Sequence, residues 1–249
     1  MEGDFKIVKC SGCGLVYLRN VPEENEIYED YYEIKFRKYD YSIESKYDYL
    51  AEIYAINQQR LCCLKKFKKE GKLLDVGCGS GLFMKTASDQ NYDVYGIDVS
   101  NKALSFARDE FKLNVQQKSL NDLIKENGKF DIITLWHVLE HFMNPVNELK
   151  KVRTLLNENG VCFIEVPNYN SIKFKLSRKK WKGGNHPIYH RTFFTSKTLR
   201  ETIQESGFST TKRIRLSYKL PQKSFVFNKA KNIFNLFAMD AFLDYVVWR

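Results

Sequence analysis

The chain has 249 residues, 43% hydrophobic and 28% charged, with 5 prolines, enough to bury a full core and too apolar for a chain dominated by disorder. No apolar run reaches the ~20 residues of a membrane-spanning helix, and Met1-Glu2-Gly3-Asp4 does not read as a secretory leader, so a cytoplasmic location is expected. The formal net charge of +10 favours anionic partners without separating nucleic acid, lipid headgroups and phosphorylated small molecules, and is equally what a lysine-rich proteome gives.

Residues 5–18 predict two short strands around Cys10-Ser11-Gly12-Cys13-Gly14, the shape of one zinc knuckle. A structural zinc takes four ligands, and the next cysteines, Cys62 and Cys63, fall in a predicted helix. Cys10 and Cys13 stay open between a free hairpin, zinc bound within one chain, zinc shared between subunits and a redox pair, and no metal ligand is assigned. With Cys78 in a loop and Cys162 in a strand, the 6 cysteines form no secreted-type disulfide framework and fit a reducing compartment.

Tyr28, Tyr31, Tyr32, Tyr39, Tyr41, Tyr47, Tyr49 and Tyr54, with Phe36, read as an aromatic cap, either a packing element or one whose hydroxyls face a cleft. Residues 46–69 predict a helix with an apolar stripe through Leu50, Ile53, Ile56, Leu61, Leu64 and Phe67, closed by a lysine cluster and Gly71. Two units are expected: a hairpin and cap over 1–44, and a larger domain over 45–249.

That domain opens on Lys72-Leu73-Leu74-Asp75-Val76-Gly77-Cys78-Gly79-Ser80-Gly81, an apolar strand breaking into alternating glycines before a helical run. Glycines are needed where backbone takes positive φ or lies against a ligand, and the helix start offers unpaired N–H groups. The loop lacks the Lys-Ser/Thr ending of a phosphate-cradling P-loop. Asp75 would repel a pyrophosphate but suits an ammonium or sulfonium, so the site reads as built for a zwitterionic or cationic nucleoside.

Strands then alternate with helices. The predicted strands are 73–76, 93–97, 113–117, 130–135 and 160–166, and the predicted helices 82–89, 102–111, 120–125 and 145–155. This order implies a parallel sheet covered on both faces, with its ligand at the carboxyl ends of the strands. There, Asp98 ends the second strand and can accept hydrogen bonds from both hydroxyls of a ribose. The fourth strand empties into Trp136-His137-Val138-Leu139-Glu140-His141. Its His-x-x-Glu-His spacing is that of inverted zincins, but a central parallel strand and a nucleoside site argue against a peptidase.

After the fifth strand, residues 168–194 form an expected insertion or lid, with Lys173, Lys175, Arg178, Lys179, Lys180 and Lys182 among apolar residues, ending in Gly183-Gly184-Asn185-His186-Pro187-Ile188-Tyr189-His190. It reads as a solvated loop or as a closure over an anionic acceptor. An amphipathic helix from Thr195 to Gly207, a strand over 208–214, a helix within 225–242 and a last strand over 243–248 complete the expectation. The predicted fold is α/β and Rossmann-like: a seven-stranded, mostly parallel sheet with helices on both faces, an N-terminal cap and the inserted lid.

Leu74-Asp75-Val76-Gly77-Cys78-Gly79-Ser80-Gly81, Gly96-Ile97-Asp98-Val99-Ser100, Phe130-Asp131-Ile132-Ile133, Val138-Leu139-Glu140-His141-Phe142-Met143-Asn144-Pro145 and His190-Arg191-Thr192-Phe193-Phe194-Thr195 together resemble the class I S-adenosylmethionine-dependent methyltransferases. The closest-looking branch holds the ubiquinone-biosynthesis O-methyltransferases and their relatives in polysaccharide pathways. The resemblance implies S-adenosyl-L-methionine as cofactor. Gly77, Gly79 and Gly81 would lie along its methionine portion, with Cys78 in the same loop and Asp75 near the charged end. Asp98 would bind the ribose hydroxyls, with Val99 beside it as a further cofactor-binding residue; Ser119 and Leu120 would border adenine, and Trp136 and His137 would line the pocket beyond the fourth strand. Many relatives carry an acid just before Ser119, where this chain has Lys118. The N-terminal segment resembles versions with two Cys-x-x-Cys pairs, of which this chain has one.

The expected reaction is methyl transfer to a hydroxyl or other nucleophile of a small, anionic or sugar-containing acceptor. A hydroxyl must lose its proton, and histidine suits that task near neutral pH. His186 and His190 are the first candidates, then His141 and His137. The rivals are a nicotinamide-dependent oxidoreductase, disfavoured by Asp75, and a noncatalytic cofactor-binding scaffold. Nucleic-acid methylation is disfavoured because Leu135-Trp136-His137 stands where a base-methylating motif would follow the fourth strand. Peripheral membrane contact stays open.

Overall fold

A computed structural model describes residues 6–20, 43–172, 174, 190–214, 216 and 242–249. The tyrosine-rich stretch from Tyr28 to Tyr41, most of the basic insertion with His186, and the helix expected after Phe225 lie outside the described residues. Strands β1 (Lys6–Lys9) and β2 (Val16–Arg19) form the N-terminal hairpin. Helix α1 (Ile43–Leu64) leads to β3 (Lys72–Val76), α2 (Leu82–Ser88), β4 (Asp93–Ile97), α3 (Asn101–Phe111), β5 (Val115–Gln116), α4 (Leu120–Lys125) and β6 (Phe130–Trp136). A 3-10 turn (Leu139–His141), α5 (Pro145–Leu155), β7 (Leu156–Pro167), β8 (Thr192–Phe193), α6 (Ser196–Glu205), β9 (Thr210–Ile214) and β10 (Phe242–Trp248) follow.

Seven strands pair in the order β5-β4-β3-β6-β7-β10-β9. The β3, β4, β5, β6 and β7 neighbours run parallel, and β10 inserts antiparallel to both β7 and β9. This is the expected sheet with its one reversed strand. Several boundaries differ from expectation, two of them with a visible cause. Strand β7 begins at Leu156 rather than residue 160, because Phe130 pairs with Leu156 across an irregularity before Ile132 meets Val161. Helix α1 stops at Leu64, and Lys65 to Lys68 continue as turns bonded to the carbonyls of residues 61–64.

Strand periodicity divides the core. Leu74, Ile133, Leu135, Cys162 and Ile164 face α4, α5 and α6 through Leu120, Leu149, Val152, Leu199 and Ile203. Leu73, Ile132, Trp136, Phe163 and Val246 face α1 and α2 through Leu61, Leu64 and Phe83. Successive side chains alternate between faces, so Asp75, Thr134, Glu165 and Asp244 belong to this second face, where α1 lies. All four are at most 5% exposed, which gathers polar groups near the carboxyl ends of β3, β6 and β7. The N-terminal hairpin is not separate from this end: β2 pairs with β8 to make a three-stranded sheet, and Leu18 N–H donates to Arg191 O at 2.8 Å. No described helix is long and apolar enough to cross a membrane.

Candidate active site

The glycine loop joins β3 to α2. Gly77, Gly79 and Gly81 have φ of 66°, 53° and 75°, values an L side chain rarely adopts. Gly77 also has no room for one: a Cβ there would stand 2.6 Å from Val138 Cγ2. The loop is tied to the next strand, since Gly77 and Cys78 N–H both donate to Ile97 O, at 2.8 and 3.0 Å. Asp98, directly beyond Ile97, accepts from Gly79 N–H at 2.8 Å and from Ser100 N–H at 2.9 Å. It is 6% exposed, and an ionised carboxylate offers about four acceptor positions. Next to it the apolar Val99 is 56% exposed, free to cover a flat ligand.

Asp75 lies deeper. Burial pushes its carboxyl up to about 7, against the Thr134 hydroxyl that donates to it at 2.6 Å. A buried acid poised between its two forms gains its charge most readily when a cation sits beside it. A nucleoside with a sulfonium and a ribose therefore fits this pair of carboxylates.

The remaining expected cofactor residues are less uniform. Cys78 packs against Met84, Leu104 and Leu113, and burial pushes its thiol well up, so it serves packing as an inert thiol. Ser119 caps α4, accepting from Asp122 N–H at 3.3 Å while Asp122 accepts from Ser119 N–H at 2.9 Å. Leu120 is a core residue. Trp136 packs edge-on against Phe83, 5.3 Å between centroids, under the Arg60 guanidinium at 4.8 Å.

His137 departs most from expectation. Instead of lying one helical turn before His141, it adopts φ 59°. Its N–H bonds Glu165 O at 2.9 Å, and its ring turns onto the buried carboxylates. Nε2 is 2.7 Å from Glu165 Oε1, and Nδ1 is 3.4 Å from Glu140 Oε1. Burial alone would lower this imidazole, but Glu165 and Glu140 raise it to about 9. Burial would likewise raise Glu165; Arg60, at 2.5 Å, and His137 instead hold it far below the usual carboxylate range.

His141 and His190 come together, with ring centroids 5.0 Å apart. One donor atom from each, with a carboxylate oxygen of Glu140, lies within 4.8 Å of the others. Arg191 N–H and the Thr192 hydroxyl both donate to Glu140 O, at 2.8 and 3.3 Å, strapping the segment before β8 to the 3-10 turn. These three residues are the ones among the described residues that could hold a metal. His186 lies outside the described residues. Sequence reasoning passed over Arg60, Glu165, Thr134 and Asp244. For Glu165 a signal existed, a carboxylate inside an otherwise apolar central strand.

The methyltransferase-domain family model matches residues 47–212. A ubiquinone biosynthesis O-methyltransferase of Glaesserella parasuis is 35% identical over 115 residues, 42% of this chain and 49% of that protein. One from Acinetobacter baylyi is 29% identical over 161 residues, 59% of this chain and 67% of that protein. The chain thus spans about half to two thirds of the length of these curated relatives. Among solved structures, a SAM-dependent methyltransferase from Thermotoga maritima superposes with TM-score 0.60 at 16% identity, covering 90% of this chain and 99% of that one. The plantazolicin methyltransferase BpumL, solved with SAH, gives 0.58 at 21% identity, covering 90% and 93%. Likeness at that identity speaks for the fold, and the family match for descent: the chain belongs to the methyltransferase-domain family, whose methyl donor is S-adenosylmethionine.

Proposed function

We propose that the chain transfers the methyl group of S-adenosylmethionine to an oxygen of a small acceptor, one whose anionic or sugar character suits the basic run of residues 173–182. The observation that carries this reading is the Asp98 carboxylate, fixed by Gly79 and Ser100 N–H at the tip of β4. The first relatives are named O-methyltransferases, which favours oxygen as the acceptor atom.

When bound, the cofactor supplies a methyl already activated by its sulfonium. The protein's part is to bind, align and exclude water. Asp98 accepts the ribose hydroxyls while Val99, Ser119 and Leu120 border the base. Gly77, Gly79 and Gly81 admit the methionine portion against backbone, with Asp75 facing the positive end. Trp136 closes the floor of this pocket. His137, an imidazolium at neutral pH, donates rather than accepts protons. His141 and His190 stand on the acceptor side.

Calorimetry with S-adenosylmethionine on the wild type and Asp98→Asn tests the pocket. Loss of one charge-assisted pair is expected to weaken binding by about 10- to 100-fold. Mass spectrometry of a small-molecule extract incubated with labelled S-adenosylmethionine tests transfer. A wild-type chain that binds a nicotinamide dinucleotide and neither S-adenosylmethionine nor its demethylated product would refute the reading.

A further inference from the structure

The turn between β1 and β2 is closed twice by backbone: Cys10 N–H donates to Leu15 O at 2.8 Å and Gly14 N–H to Cys10 O at 3.0 Å. This closure sets the two thiols side by side, with Cys13 hydrogen-bonded to Cys10. Cys10 is half-buried and Cys13 exposed, and with Leu15, Tyr17, Met143 and Arg191 they line a cavity of about 250 Å³. The N–H groups of Cys13 and Gly12 bond the Cys10 sulfur and hold its thiol below the ordinary cysteine value. Burial instead pushes the thiols of Cys63, Cys78 and Cys162 up. The thiolate is the nucleophile in disulfide exchange, so thiol reactivity is concentrated at this turn. Its N–H groups do here what a helix N-terminus does in a thioredoxin-like unit.

From this turn and its cavity we infer that Cys10 and Cys13 form a dithiol modification site for low-molecular-weight disulfides that carry carboxylates. The Cys10 thiolate attacks one sulfur of the incoming disulfide: a bond forms from Cys10 Sγ to that sulfur, the original S–S bond breaks, and the other half leaves as a thiolate. Cys13, once deprotonated, attacks Cys10 Sγ; the Cys10–Cys13 bond forms and the second half leaves. The protons given up by the two cysteines end on the two leaving thiolates. Two protein thiols are thereby oxidised, and one small disulfide is reduced to two thiols. The cavity admits the disulfide, and the Arg191 guanidinium on its wall suits a carboxylate. The closed disulfide fixes the turn ahead of β2, whose Leu18 N–H holds Arg191 O at 2.8 Å. The site stands on thiol chemistry alone; a consequence for methyl transfer rests on the proposed function.

The test uses the full chain, reduced and stripped of metal with chelator. It is incubated with glutathione disulfide at neutral pH, quenched in acid, alkylated and mapped by peptide mass spectrometry. The peptide holding Cys10 and Cys13 is expected to lose two hydrogens as the disulfide closes. In Cys13→Ser the reaction is expected to stop at one glutathionyl group on Cys10, formed more than ~10-fold faster than on the exposed Cys62. In urea that advantage is expected to vanish, which ties it to the folded turn. Cystamine, a cationic disulfide, is expected to react more slowly than glutathione disulfide. Equal rates at Cys10 and Cys62 in the folded chain, or an advantage of Cys10 that survives unfolding, would overturn the site. Cystamine as fast as glutathione disulfide would overturn the part given to Arg191. Titration of the same samples with S-adenosylmethionine reads the methyltransferase pocket separately, so the two readings fail independently.

Discussion

Nε2 of His137 lies 2.7 Å from Oε1 of Glu165, the same oxygen that receives Nη2 of Arg60 at 2.5 Å. Two cations from elements far apart in sequence converge on one carboxylate that is 1% exposed. Glu165 faces Asp244 across the antiparallel β7–β10 pair. Burial and the Glu165 charge push Asp244 up to about 7, with Leu216 N–H acting against them. The carboxyl ends of the sheet thus hold a compact charge network that both positions the site and sets how stability depends on pH.

The His137 imidazole is raised from 6.5 to about 9 in the folded chain. Its stabilising contribution is therefore fully present below pH 6.5 and is lost as pH rises through about 9. The whole interval corresponds to ~3 kcal/mol, but the side chain is 34% exposed, which reduces the expected loss to about 1–2 kcal/mol. Urea unfolding across this range should show the decline in the wild type and its absence in His137→Gln; parallel profiles for the two proteins would contradict the assignment.

Removing the shared anion should cost more. Glu165→Gln leaves Arg60 and His137 as part-buried cations without their counter-charge, an expected loss of about 2–4 kcal/mol in unfolding free energy. A change below about 1 kcal/mol would mean that the network contributes little to the fold.

Asp75 works the other way. Its carboxyl is raised from 3.8 to about 7 by burial, so its contribution is fully present below pH 3.8 and is lost as pH rises through about 7. Asp75→Asn keeps an oxygen for the Thr134 hydroxyl and removes the charge. At pH 8 the variant should be more stable than the wild type by about 1–3 kcal/mol while binding S-adenosylmethionine more weakly. Chemical denaturation and calorimetry on the same preparation measure both; a destabilised variant at that pH would refute the account.

Gly77→Ala combines two penalties, a φ of 66° and a Cβ 2.6 Å from Val138. The strain and the overlap together should destabilise by about 2–4 kcal/mol. Adding Val138→Ala should relieve the overlap and not the φ cost. A double variant no more stable than Gly77→Ala, after allowing for Val138→Ala alone, would show that the contact is not what excludes a side chain.

The α/β sheet with its seven strands, the glycine loop and the carboxylates at the tips of β3 and β4 were legible in the residues alone. Each of these is encoded over a short window: a nearly continuous apolar run from Leu73 to Val76, glycine where φ is positive, and Asp98 at the end of the next strand. Which charges meet follows from the packing of distant elements. Arg60 and Glu165 are 105 positions apart, and they touch because α1 covers the sheet face to which strand parity assigns Glu165. The helical spacing of His137 and His141 pointed to each other, but the left-handed turn at His137 sends one ring to Glu165 and leaves the other to His190, brought in when β8 pairs with the N-terminal hairpin. Strand order and chain crossover fix such contacts, and neither has a local period for a sequence to display.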